Sequence, residues 1–327
     1  MEETTFQEIA EKLHLIQLIP SPYGSRGWVK CEIERESFKG VTKVRSIIEA
    51  YIILMEAFYS SEFSIDRFAD AIIRELPSYA PQARRISIAA YSSYKKINQR
   101  EIQGAISRRI TEQLNAECNL KEYDTALRVT LLKKMAVATL DLEIQPGNLP
   151  KKLKTHPTPI LPPIAYCMIR LANPQTNEQL LDPMCGCGTI PCMAALEWKD
   201  LKIIGSDISN DYISCAKRNA EALGVARKIT FIASDIADLA HQKVEANILA
   251  FNPPYGIAIQ LENQIEKLYD TIFDTVSKIL LDQGRLVIIT PYPHLIEKEI
   301  QKRKFSIINA YQIYEGELPR TIHIITK

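Results

Sequence analysis

Asn252, Pro253, Pro254 and Tyr255 form a run suited to one task, holding an exocyclic amine. Two consecutive prolines stiffen a turn and remove competing amide donors. The Asn252 side-chain oxygen and the Pro253 carbonyl are then acceptors for an –NH2 group, and Tyr255 offers a ring on which a base stacks. A nitrogen held this way has its lone pair aimed at an electrophile. Methyl transfer from a sulfonium needs that alignment more than it needs acid–base help.

A second group of residues reads as a nucleoside site. Asp182 opens the turn Asp182-Pro183-Met184-Cys185-Gly186-Cys187-Gly188-Thr189. Its two glycines let backbone approach a ligand with no Cβ in the way. Asp207 follows Gly188 by 19 positions, where a carboxylate takes ribose hydroxyls. Asp235 stands where it accepts from an adenine amino group. A dinucleotide fingerprint would need glycine at Pro191, and the turn lacks the lysine of a phosphate loop. Asp182 would repel a pyrophosphate but attract a cation. S-adenosylmethionine, with its sulfonium and α-ammonium, is therefore the expected cofactor. Cys185, Cys187 and Cys192 invite a metal reading, but no fourth ligand is apparent and buried thiols are expected instead; no metal is expected.

These residues must be positioned by the elements around them. Strand signals at 179–182, 202–207, 228–235, 246–252 and 284–290 alternate with helical patterns at 211–223, 262–281 and 294–302. Such alternation means βαβ units and a mostly parallel, doubly wound sheet whose strand ends carry the ligand. Two late strands, 305–314 and 321–326, have only the turn at Glu315-Gly316-Glu317 between them, which predicts an antiparallel edge hairpin. The 246–252 strand should lie beside the 179–182 strand across the switch point.

Residues 1–145 read as α+β: helices at 5–15, 43–59, 66–75 and 99–114, and strands at 27–34, 85–91, 126–132 and 135–142. Four prolines between 155 and 163 mark a linker at 146–163, and His156 within it is expected to be solvated. The pairs Arg84-Arg85, Lys95-Lys96, Arg108-Arg109 and Lys133-Lys134 are candidate phosphate contacts, with solvated faces as the alternative. Tyr91 and Tyr94 are either base-stacking or core residues.

At 46% hydrophobic and 24% charged over 327 residues, the chain is an ordinary globular protein of two or three domains. Its net charge of +1 predicts no partner by itself. Residues 1–158 carry +3 and residues 159–327 carry −2, which tilts any polyanion toward the front half. No apolar run reaches the ~20 residues of a membrane helix. The N-terminus lacks a secretory pattern, and seven scattered cysteines suit a reducing cytoplasm better than a disulfide scaffold.

With these residues in view, the chain resembles the THUMP-domain-containing RNA guanine-N2 methyltransferases, chiefly those acting on tRNA and secondarily those acting on rRNA. The resemblance is most specific at 182–189 and 252–256. It implies a Rossmann-like class I methyltransferase sheet with an antiparallel C-terminal edge hairpin over 164–327. In front of it, the resemblance implies a ferredoxin-like region at 1–77 and a THUMP RNA-binding domain at 78–145. Under it, the cofactor residues are Asp182, Met184, Cys185, Gly186, Cys187, Gly188, Thr189, Asp207, Ile208, Asp235 and Ile236. Asn252 to Tyr255 would hold the target amine. Cys185 and Cys187 depart from the family's usual residues. The expected substrate is the N2 amine of a guanosine, most often in tRNA, with no obligate protein partner. Adenine in DNA, glutamine in a protein, or a non-catalytic RNA-binding role remain the alternatives.

Overall fold

The computed structural model describes residues 2–13, 15–20, 22, 29–33, 40–41, 43–47, 49–59, 63–92, 98–141, 160–255, 262–315 and 318–327. Contacts divide the chain into two units, one made of residues 1–22, 26–47 and 147–327 and the other of 23–25 and 48–146. No helix among the described residues is long and apolar enough to cross a membrane.

The larger unit is built on a seven-stranded sheet. In chain order its elements are α4 (Pro162–Leu171), β8 (Gln179–Asp182), α5 (Thr189–Glu197), β9 (Lys202–Asp207), α6 (Asn210–Ala222), β10 (Ile229–Ala233) and α7 (Ile236–Leu239). There follow β11 (Ala246–Phe251), α8 (Glu262–Ile279), β12 (Leu280–Thr290), α9 (Pro293–Lys302), β13 (Ser306–Glu315) and β14 (Leu318–Thr326). The strand order is β10-β9-β8-β11-β12-β14-β13. The first five strands are parallel, and β14 and β13 add antiparallel pairings at one edge. The tip of that hairpin, at Gly316 and Glu317, lies outside the described residues.

Central strands covered on both faces must be apolar throughout, and Ile248, Leu249, Ala250 and Phe251 of β11 are all fully buried. Ile248 and Ala250 join α4 and α5 in one core, whereas Leu249 and Phe251 join α7, α8 and α9 in another. Alternation along one strand thus assigns helices to opposite faces. The chain crosses from one side of β8 to the other between β10 and β11. The carboxyl ends of β8 and β11 are therefore neighbours at the switch point.

Residues 1–22 and 26–47 belong with this unit, which sequence reading did not anticipate. Helix α1 (Glu2–Lys12) and the antiparallel pair β1 (Leu15–Pro20) and β2 (Val29–Ile33) form the segment. Fully buried Glu8 accepts from Lys12 Nζ and from the backbone amides of Arg45 and Ser46, each at 2.8 Å. Lys12 Nζ and Arg45 Nε also reach Glu197 at the end of α5, both at 2.7 Å. Arg170 of α4 binds Glu11 of α1. These charges carry their own hydrogen-bond partners, the condition under which burial is tolerated.

The smaller unit is a five-stranded sheet of order β3-β7-β6-β4-β5. Its strands are β3 (Tyr51–Phe58), β4 (Arg85–Ser92), β5 (Glu117–Cys118), β6 (Thr125–Leu131) and β7 (Met135–Asp141), with helices α2 (Ile65–Tyr79) and α3 (Gln99–Leu114). Phe68, Ile72 and Leu76 of α2, and Ile102, Ile106 and Ile110 of α3, repeat every four residues and meet Ile86, Ile88, Leu127 and Val129 of the sheet. Ser64 and Asn98 cap the two helix starts, and Asn115 in the left-handed region ends α3.

Two expectations change here. The helix expected over 43–59 is overturned at 51–58, which is strand β3 paired antiparallel with β7. Its run of Ile, Leu and Met lacks clean alternation, so periodicity could not choose, and pairing to β7 decides it. The boundary expected after residue 77 separates β3 and α2 from elements with which they share one core. The linker expected at 146–163 lies mostly outside the described residues, which resume at Ile160; α4 begins at Pro162.

Removing the carboxylate of Glu8 leaves two backbone amides and Lys12 without their buried acceptor. Glu8→Ala should therefore lower the unfolding free energy by about 3–5 kcal/mol, measured by urea denaturation. An unchanged midpoint would show that the N-terminal segment contributes no stability.

Candidate functional site

The turn after β8 is shaped by its glycines and by Asp207. Gly186 and Gly188 adopt φ of 50° and 83°, in the left-handed region. A Cβ on Gly188 would lie 2.9 Å from the Cβ of Ala216, so this position requires glycine for packing on α6 as well as for its φ. Asp207, ending β9, accepts from Gly186 N through Oδ2 at 2.8 Å and from Ser209 N through Oδ1 at 2.9 Å. Cys185 N donates to the Ser206 carbonyl at 2.8 Å, and Asn219 Nδ2 to the Cys187 carbonyl at 2.9 Å. The loop is thus pinned by β9 and α6 before any ligand arrives. Each oxygen of Asp207 has further lone-pair capacity for a hydroxyl.

Asp182 is buried and accepts from Met184 N at 3.1 Å. Burial pushes its carboxyl well above the ordinary range; the Met184 amide opposes this, and the charge of nearby Asp207 adds to it. Two carboxylates this enclosed make an electronegative floor that favours a cation. Burial likewise raises the thiols of Cys185, Cys187 and Cys192, the last two to about 12, so they are poor nucleophiles at neutral pH.

Asp182, Met184, Cys185 and Thr189 line one pocket together with Asn252, Ile160 and Ile190. Two of the expected motifs, 70 positions apart in sequence, therefore meet. Asn252 Oδ1 is buried and accepts no hydrogen bond among the described residues. An orphaned acceptor of this kind costs about 1–3 kcal/mol unless a ligand or water completes it. Pro253 is buried, Pro254 exposed and Tyr255 half-buried, and Tyr255 receives a hydrogen bond from Arg320 Nη1 at 2.7 Å. Gly256 lies outside the described residues.

The remaining expected cofactor residues are placed as follows. Ile208 is 71% exposed directly after Asp207, an apolar side chain available to a flat ring. Asp235 caps α7 by accepting from Ala237 N at 2.9 Å, and Ile236 is buried in the core beneath. These residues, with Gly186, Gly188 and the buried acceptors, fit an adenosine carrying a cationic tail.

The expected phosphate contacts divide. Arg84, Arg108, Lys133 and Lys134 are exposed. Arg85 is engaged by Glu122 and Asp124, both at 3.2 Å, and Arg109 by Asp66 at 2.9 Å and by Asp70. Lys95, Lys96 and Tyr94 lie outside the described residues, as does His156. Tyr91 is 52% exposed, with Arg128 at 5.5 Å from its ring centroid.

Sequence reading missed Ile160, Asn219 and Arg320. Arg320 did leave a signal. Period two puts it on the face of Ile322 and Ile324, a charge in an apolar register.

Residues 151–320 match the family UPF0020, described as an RMKL-like methyltransferase domain. The chain is 26% identical over 254 residues to a tRNA (guanine(6)-N2)-methyltransferase of Methanocaldococcus jannaschii, covering 66% of this chain and 67% of that protein. It is 30% identical over 199 residues to the protein of the same name from Archaeoglobus fulgidus, covering 53% of this chain and half of that one. The crystal structure of TrmN from Thermus thermophilus superposes with a TM-score of 0.85 at 17% identity, over 100% of this chain and 96% of that one. The shared fold therefore extends beyond the matched domain.

The raised carboxyl of Asp182 sets a pH dependence. A group titrating above the ordinary carboxylate range loses its charge as pH falls, and with it the attraction to a cation. Calorimetric titration should show affinity for S-adenosylmethionine weakening while pH is still above that range. Asp182→Asn should bind about tenfold to a hundredfold more weakly at neutral pH and show no such slope. Equal affinity in the variant would remove Asp182 from the donor site.

Proposed function

We propose, for a chain that belongs to the RMKL-like methyltransferase-domain family, that it transfers a methyl group from S-adenosylmethionine to the exocyclic N2 amine of a guanosine in tRNA. The single observation that carries this reading is the unpartnered, buried Oδ1 of Asn252, a residue that lines the same pocket as Asp182. The names of the archaeal relatives supply the base, the atom and the RNA class.

In this reading Asp182 and Asp207 hold the cationic and ribose parts of the donor, and Ile208 and Asp235 its adenine. When bound, the donor supplies an electrophilic methyl on a positively charged sulphur. Asn252 Oδ1 and the Pro253 carbonyl accept the two amine hydrogens, which aims the nitrogen lone pair at that methyl. The N–C bond forms as the S–C bond breaks, and the extra proton on nitrogen passes to water afterwards. Tyr255 stacks on the base, which must leave any helix to reach it. Arg84, Arg108, Lys133 and Lys134 contact phosphates in a THUMP RNA-binding unit. The enzyme works in the cytoplasm without an obligate protein partner.

The test is incubation of the chain with labelled donor and tRNA, followed by nucleoside analysis. N2-methylguanosine is expected, and Asn252→Ala should slow single-turnover transfer by about 10²–10³-fold. N6-methyladenosine in its place would reject the base, and an unslowed variant would reject the role of Asn252.

A further inference from the structure

Arg320 lies near the start of β14, and its neighbour Thr321 pairs with Thr290, the last residue of β12. Because β14 runs antiparallel to β12, this puts Arg320 at the edge of the sheet where the parallel strands finish. It is 5% exposed. Its Nη1 donates to the Tyr255 hydroxyl at 2.7 Å, with the guanidinium carbon 5.9 Å from the centre of the Tyr255 ring. The same strand face continues into the apolar core through Ile322 and Ile324. A guanidinium is costly to enclose unless its donors are met, and the Tyr255 hydroxyl meets one of them.

Tyr255 is joined to the chain at one end of its ring and to Arg320 at the other. A ring fixed only at Cβ turns freely about two torsions. A hydrogen bond at the para position removes most of that freedom. We propose that Arg320 is a positioning residue, which holds the Tyr255 hydroxyl so that the ring face is presented to the nucleobase whose amine Asn252 accepts. The inference rests on the reading given under Proposed function and extends it to a residue from a distant strand.

Tyr255→Phe keeps the ring and deletes the acceptor, and Arg320→Met keeps the stem and deletes the donor. Both should slow single-turnover transfer to tRNA by about tenfold to a hundredfold while donor affinity, read by calorimetry, stays within about twofold. The double variant should be no slower than the slower single variant, since both remove the same contact. A merely structural Arg320 would lower donor affinity together with rate, and its effect would multiply with that of Tyr255→Phe. Either outcome overturns the proposal, as does wild-type transfer by Tyr255→Phe. If Arg320→Met fails to fold, Tyr255→Phe decides alone, with slowed transfer and intact donor affinity as the supporting result. A wild-type chain that methylates no tRNA sinks the underlying reading and this inference with it; an active wild type with an unslowed Tyr255→Phe sinks this inference only.

Discussion

The parallel pairing of β8 with β11 is the constraint on which the rest depends. Leu180 and Leu181 lie in register with Ile248 and Leu249. With β8 ending at Asp182 and Asn252 following β11, strands so aligned bring these two residues to the same pocket. Neither motif is a site alone. In the proposed reading the carboxylate supplies a place for a cation and the amide oxygen a place for an amine. Only adjacency lets the two ligands react. The apolar residues of both strands exist to make that adjacency rigid, since a core packed on two faces has no room for register slip.

That placement has a cost in the folded chain. Asp182 is enclosed near Asp207, and both burial and the neighbouring charge oppose its ionisation. Asn252 keeps a buried acceptor unmet. A protein free of function would relieve both, and groups poised this way are typical of places where a ligand completes the bonding. Asp207 and Asp235 carry structural bonds beside the ligand role proposed for them. Asp207 orders two backbone amides at the end of β9, and Asp235 one at the start of α7.

Much of this was legible in the sequence because the larger unit writes its topology locally. Strands ending in Asp182, Asp207 and Asn252 alternate with helices at regular intervals, and the glycines and prolines that terminate them are chemically specific. The front of the chain was harder. The 51–58 segment carries an apolar run with no clear period, and its strand state is imposed by β7, more than 70 positions away. The N-terminal segment joins the larger unit through Glu8, Lys12, Arg45 and Glu197, charges whose partners are up to 185 positions distant and leave no local pattern. Arg320 belongs to the same class. Its role depends on Tyr255, 65 positions earlier, and only its place in an apolar register hints at it. The dibasic pairs do not all behave alike, because adjacent residues on a strand or helix point different ways. Arg109 turns to α2 while Arg108 faces solvent.

The most direct measurement is a crystal structure of the chain grown with S-adenosylhomocysteine. The ammonium of the product's amino-acid arm should lie beside the Asp182 turn and its ribose on Asp207. Its sulphur should face the space beside Asn252 Oδ1, across a gap that fits the methyl group and the amine nitrogen. A ligand bound elsewhere, or a sulphur turned away from Asn252, would contradict this placement.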